Sequence, residues 1–259
     1  MEELKIIKIG GGIIDDAPGL RRFLQLFAQV EGRKVLVHGG GKGANDMLKA
    51  LGIAPHLVDG RRVTDAATLD IVTMFYAGKT NKSIVASLQQ LGVNALGLSG
   101  ADGNVITAVK RPVHETDYGF VGDLTPAGVG AGLLAGLLSL GLIPVLCAIT
   151  HDGHGQLLNT NADTIAATVA VAMSRQFAVE LHYCFEKNGV LRDVHDDNSV
   201  IPEINSLGYA QLKTEGIITD GMLPKLDNAF EALRLGVGKV VIGHALKINN
   251  PVKTMLCLN

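Results

Sequence analysis

Apolar runs alternate with amphipathic stretches almost from end to end of this chain, the signature of βα units built around a mainly parallel sheet. The pattern predicts buried strands over 4–9 (LKIIKI) and 34–38 (KVLVH), with helices over 18–30 and 42–51 between and after them. The stretch 56–64 is shorter and more polar. From 65 the apolar positions recur at helical spacing to 77 and again over 84–91, with Gly78-Lys-Thr-Asn81 between them as a kink or break, so a long helix or a helix pair is expected. A strand over 94–98, a turn at 100–103 and a hairpin through 105–109 and 118–121 follow. Thr125 is placed to cap a helix with Pro126 at its first position. The run 143–149 predicts a core strand, 151–155 a turn-rich loop, and Asn161 the cap of an Ala/Val-rich helix ending near 173. The break at 174–177 opens a second lobe: a strand over 178–183, helices over 204–214 and 222–235, and strands over 239–242 and 253–258. The boundary is therefore set between 1–174 and 175–259, giving an α/β fold of two lobes.

Composition narrows the classes of function. With 259 residues, 47% hydrophobic, the chain can bury a sizeable core, and its 32 glycines point to many tight turns and close backbone approaches. A formal net charge of -2 gives no basic surface for nucleic acid or an anionic membrane. No apolar run is long enough to span a bilayer, and the N-terminus lacks the charged-then-apolar order of a signal peptide. Cys147, Cys184 and Cys257 are odd in number and far apart, fitting neither a disulfide framework nor a zinc site, so a cytoplasmic setting is expected. His151 and His154 stand in a Gly/Asp turn without a Cys or Glu set, and no metal ligands are assigned.

The chemistry concentrates in two glycine triplets. Lys8-Ile-Gly-Gly-Gly12 and His38-Gly-Gly-Gly41 each follow a predicted strand and precede a helix, where an open α/β sheet binds ligands and bare backbone N–H groups can cradle an anion. A single triplet marks an ordinary tight turn just as readily. Lys8, however, lies inside an otherwise apolar strand, and burying an ammonium is costly unless it meets an anion. Neither triplet matches the G-x-x-x-x-G-K-[ST] loop, the dinucleotide fingerprint or the protein-kinase signatures.

Lys8-Ile-Gly-Gly-Gly, Val37-His-Gly-Gly-Gly41, Gly60-Arg-Arg-Val-Thr64, Asn159-Thr-Asn-Ala-Asp163 and Gly216-Ile-Ile-Thr-Asp-Gly-Met-Leu-Pro-Lys225 occur in one order along nearly the whole chain. In this the sequence resembles the N-acetylglutamate kinase branch of the amino-acid kinase family. The resemblance implies a three-layer αβα sandwich with a mainly parallel open sheet. It also implies transfer of the γ-phosphoryl group of ATP, with Mg²⁺, to the γ-carboxylate of N-acetyl-L-glutamate or a close N-acylglutamate, the second step of arginine biosynthesis. By the same resemblance, residues 1–174 bind the acylglutamate and carry dimerisation, while 175–259 bind the nucleotide. Lys8 and Lys225 flank the transferring group and Asp163 orients them. Gly40, Gly41, Arg62 and Asn159 bind the acceptor; Gly11, Gly189, Ile217, Ile218 and Thr219 border the nucleotide. A carboxylate acceptor is already ionised at neutral pH, so no general base is required.

Three features depart from that pattern. Cys184-Phe-Glu-Lys-Asn-Gly189 stands where relatives have Thr/Ser-Asp-x-x-Gly, with Glu186 as the substitute acid. Val252-Lys-Thr254 replaces a Gly-Thr before the last strand. Arg61 beside Arg62 is suited to a further carboxylate, as on an N-succinyl group, or to solvent. The helix that precedes the first strand in arginine-inhibited relatives has no counterpart ahead of Leu4, so a homodimer without arginine feedback is expected. The rival readings are another enzyme of the family, such as glutamate 5-kinase, aspartokinase, carbamate kinase or UMP kinase, and a non-catalytic sensor on the same scaffold.

Overall fold

The computed structural model describes residues 1–58, 61–218 and 222–258, apart from the side chain of Pro224. Eight strands form one sheet: β1 (Glu3–Ile9), β2 (Arg33–His38), β3 (Ala95–Leu98), β4 (Ile143–Leu146), β5 (Ala178–Phe185), β6 (Glu203–Ile204), β7 (Lys239–His244) and β8 (Thr254–Leu256). Their order is β6-β8-β7-β5-β1-β2-β4-β3. All neighbours run parallel except β7 and β8. The sheet continues without interruption across the expected lobe boundary, because β5 pairs along the full length of β1.

The helices are α1 (Gly11–Asp15), α2 (Ala17–Ala28), α3 (Gly43–Ala50), α4 (Ala66–Thr73), α5 (Asn81–Gln90), α6 (Ala131–Ser139), α7 (Ala162–Met173), α8 (Ser206–Thr214) and α9 (Leu223–Arg234). Alternation along β1 divides them into two layers. Leu4 and Ile6 pack with residues of α6, α7 and α9, whereas Ile7 and Ile9 pack with Phe23, Leu24 and Phe27 of α2 and Ile84 and Leu88 of α5. These four β1 side chains are fully buried, each contributing about 1.5–3 kcal/mol of apolar transfer energy. The result is the three-layer sandwich. Lys34 is a second buried lysine on β2, but it has a structural occupation. Its ammonium donates to the carbonyls of Phe27 and Val30 at 2.8 and 2.6 Å, closing the end of α2.

Local pattern and structure part company at a few places. The irregularity expected at Gly78 is not a break but a π-helical segment, Met74–Thr80, joining α4 to α5. The wide turn lets successive residues Phe75 and Tyr76 both bear on the second glycine loop: the ring of one fills the space beside Gly43, the other that beside Gly40. Pro126 begins only a 3-10 turn, Thr125 makes no side-chain cap, and α6 starts later at Ala131. The run 143–149 splits after Leu146, and Ile149–His151 turns back to pair with Leu157–Asn159. The expected hairpin closes one step further out, between Val109–Lys110 and Gly122–Asp123. Ile204 belongs to β6, and Asn205 caps α8.

Candidate active site

The first triplet leaves the carboxyl end of β1, the strand that separates β2 on one side from β5 on the other. Chain order reverses at this point in the sheet, and open α/β folds bind ligands in the crevice there. Lys8 shares the face of Leu4 and Ile6, beneath α7, and is only 8% exposed. Its Nζ lies 2.8 Å from Asp163 Oδ1. The angles make this an ion pair rather than a well-directed hydrogen bond, since Oδ1 finds no aligned donor among the described residues. Asp163 stands in the first turn of α7, where the Asn161 side chain accepts from the N–H groups of Asp163 and Thr164 at 2.8 and 3.1 Å.

Lys225 enters from the first turn of α9, which packs on α7. Burial pulls its proton affinity below the ordinary lysine value, Asp163 works against that, and the charge of Lys8 adds to the lowering. Burial alone would raise the Asp163 carboxyl, but Lys8 and Lys225 outweigh it and hold the group below the usual carboxylate range. Two ammonium groups and one carboxylate thus occupy one site. The Lys225 Nζ also lies over the ring of Phe185.

The two glycine loops abut. A Cβ on Gly11 would meet the Gly41 Cα at 3.0 Å, so only bare backbone fits there. Asp15, closing α1, accepts from the Lys42 N–H with both oxygens, at 2.7 and 2.8 Å, and tethers the second loop to the first. Its carboxylate also fills the space beside Gly41, whose φ is +64°. Gly12 leaves room for the Glu186 carboxylate, so the substitute acid stands against the first loop and within electrostatic reach of Lys225.

Arg62 and Asn159 meet through Thr64. Asn159 Nδ2 donates to Thr64 Oγ1 at 3.0 Å, and that hydroxyl donates to the Arg62 carbonyl at 3.0 Å. The Arg62 guanidinium donates through Nη2 to Asn45 Oδ1 at 2.6 Å. Its Nη1 is buried with no partner among the described residues, a donor available to an incoming acceptor. Gly189, Ile217 and Ile218 line a separate open cleft of about 360 Å³ with Phe185 and Met222. Thr219, expected beside them, lies outside the described residues. A Cβ at Gly189 would meet the Thr254 hydroxyl at 2.6 Å. That hydroxyl accepts from the Val190 N–H at 2.8 Å and donates to the Ile201 carbonyl at 2.7 Å, so Thr254 anchors this loop. Phe185 belongs both to the cleft and to the lysine site. Tyr76, Asn45 and Asp15 carry no motif; only their contacts with the glycine loops and with Arg62 reveal them.

A sequence profile described as the Amino acid kinase family matches residues 3–244. The chain belongs to the amino acid kinase family. Among curated relatives in the family, the acetylglutamate kinase of Bacteroides thetaiotaomicron is 55% identical over 249 residues, covering 96% of each chain. That of Cytophaga hutchinsonii is 51% identical and covers all of both chains. Among solved structures, smu.665 from Streptococcus mutans UA159 superposes with a TM-score of 0.81 at 27% identity, covering 99% of each chain. No helix among the described residues is long and apolar enough to cross a membrane.

Proposed function

We propose that this chain transfers the γ-phosphoryl group of ATP to the γ-carboxylate of N-acetyl-L-glutamate, forming the acylphosphate in arginine biosynthesis. The observation that carries the reading is the convergence of Lys8, Asp163 and Lys225 beside two abutting glycine loops. Transfer between two anions through a loose transition state asks the protein mainly for positioning and charge neutralisation. Lys8 and Lys225 offset charge on either side of the migrating group, and Asp163 orients both ammoniums without taking a proton. Gly11, Gly40 and Gly41 supply backbone donors. Arg62 holds the α-carboxylate through Nη1, which has no partner among the described residues, and Asn159 holds the amide.

The purine belongs in the cleft of Gly189, Ile217 and Ile218, with Thr219 at its border, so that 175–259 carry the nucleotide and 1–174 the acylglutamate. Mg²⁺ suits this chemistry as an ion carried mostly on phosphate oxygens and water, supplying further charge neutralisation; Glu186, against Gly12, is the acid placed to meet it. The unpaired state of Cys147, Cys184 and Cys257 suits a cytoplasmic enzyme, and a homodimer is the expected assembly. Incubating the chain with Mg-ATP and a panel of acceptors, and trapping acylphosphate with hydroxylamine, tests the reading. Product with glutamate or aspartate but none with an N-acylglutamate would overturn it.

One observation favours a second acyl group. Burial and then the neighbouring Arg111 depress the Arg61 guanidinium below its ordinary value, with Asp123 offsetting them. Arg111 is itself paired to Asp123, and Val121, two residues before Asp123, bridges to Asn159. A second guanidinium beside a carboxylate already paired to Arg111, near the amide anchor, suits an acyl chain that ends in a carboxylate, as in N-succinylglutamate. The ratio of kcat/KM for the two acylglutamates, compared between the native chain and Arg61→Ala, decides this; an unchanged ratio ends the second reading.

A further inference from the structure

His38 ends β2 and has no part in the phosphotransfer just described, yet both of its ring nitrogens are committed. The side chain is fully buried. Its Nδ1 lies 2.8 Å from the Gly39 carbonyl oxygen, which can only accept, so Nδ1 carries the proton. Its Nε2 must then accept, and Asn81 Nδ2 is 3.0 Å away. The same amide nitrogen donates to the Val145 carbonyl at 2.9 Å, and Asn81 Oδ1 accepts from Lys82 Nζ at 3.1 Å. The polar groups of imidazole and amide are thereby satisfied in one arrangement only.

The consequence lies in the peptide plane. The Gly39 carbonyl and the Gly40 N–H belong to one planar trans unit, so fixing the direction of one fixes the other. Glycines flank this unit on both sides, and without an anchor such a peptide rotates at little steric cost. The Tyr76 ring limits movement of Gly40 from one side, and Asp15 holds Lys42 beyond. Among the described residues the hydrogen bond to the Gly39 carbonyl comes from His38. We infer that His38, locked by Asn81, is a positioning residue that aims the Gly40 N–H at the reacting carboxylate. The π-helical segment Met74–Thr80 carries Tyr76 and leads directly into Asn81, so one irregular turn supplies both supports of the loop.

The kinetic half of the test rests on the proposed phosphotransfer; the structural half does not. His38→Asn places an amide N–H near the position of Nδ1, while His38→Gln reaches toward that of Nε2 and leaves the Gly39 carbonyl without its donor. The Gln variant should lose kcat ~10²-fold, the scale of a misaimed donor to a developing charge, with KM for ATP little changed, and the Asn variant should recover most of that loss. Hydrogen exchange of the Gly40 amide, followed by NMR on the ligand-free protein, should accelerate in the Gln variant and not in the Asn variant. Equal kcat losses in the two variants, or a Gly40 exchange rate unaltered by His38→Gln, would overturn the inference. If the native chain turned over no acceptor, the phosphotransfer reading would fall and the Gly40 exchange comparison would still decide this one.

Discussion

The ammonium of Lys225 lies 4.7 Å from the centroid of the Phe185 ring. Phe185 falls within Cys184–Gly189, where this sequence departs from the Thr/Ser-Asp pattern of the proteins it resembles. The aromatic face attracts the cation, so the ring supplies a rest position for Lys225. Phe185→Leu keeps the bulk and removes the ring quadrupole. Its loss is expected to lower kcat/KM for ATP about 2- to 30-fold, from about 0.5–2 kcal/mol of cation–π attraction, while Phe185→Tyr stays near the native value. Steady-state kinetics at varied ATP check this, and equal values for the Leu and Tyr variants would remove the ring's role.

Lys8 and Asp163 pair at 2.8 Å in a nearly closed site. Lys8→Met should reduce kcat ~10²–10³-fold, in the range for removal of a charge-stabilising donor. Asp163→Asn strands Lys8 without its counter-charge and should lower stability by ~2–3 kcal/mol, somewhat under the cost of breaking a fully dry pair. The double variant should be less destabilised than the sum of the two singles, because the stranded charge is gone. Urea melts of the four proteins measure the coupling; strict additivity would contradict it.

Arg62 offers one bonded guanidinium nitrogen and one without a partner among the described residues. Arg62→Lys cannot keep Asn45 and reach a carboxylate with a second planar donor. KM for the acylglutamate should rise ~10–100-fold, the loss of a charged hydrogen bond of about 1.5–3 kcal/mol, with kcat much less affected. A large fall in kcat at unchanged KM would assign Arg62 to the transition state instead.

His38 sets a pH dependence of stability. Burial depresses its imidazole from 6.5 to about 4, the hydrogen bond to Gly39 opposes that shift and nearby Lys82 adds to it. The unfolded chain therefore takes up a proton that the folded chain refuses between those two values. The contribution is complete above about pH 6.5 and declines as pH falls toward 4, by about 3 kcal/mol at most. His38→Asn should flatten this part of the profile in urea melts at pH 4.5 and 7. The same slope in native and variant proteins would assign it to other groups.

Much of this protein is legible locally. The alternation in LKIIKI and KVLVH marks β1 and β2, Asn161 caps α7 as expected, and the glycine triplets fall at strand ends, since these features depend on neighbours a few residues away. Lys8 announced itself because an ammonium in an apolar strand demands a partner. Lys34 sits one strand over with no carboxylate partner among the described residues, and only its place under the α2 carbonyls tells the two lysines apart.

What the sequence by itself determined is the order of strands and helices, the two bare-backbone turns and the lysines, because periodicity, capping and the desolvation cost of charge act within a few residues. The tertiary structure alone decided that β5 lies against β1, so that Phe185 and Glu186 arrive beside Lys225 and Gly12, and that a π turn brings Tyr76 and Asn81 onto Gly40 and His38. Those meetings join residues far apart in the chain, and their energy comes from packing and hydrogen bonds across the sheet, which no local pattern encodes.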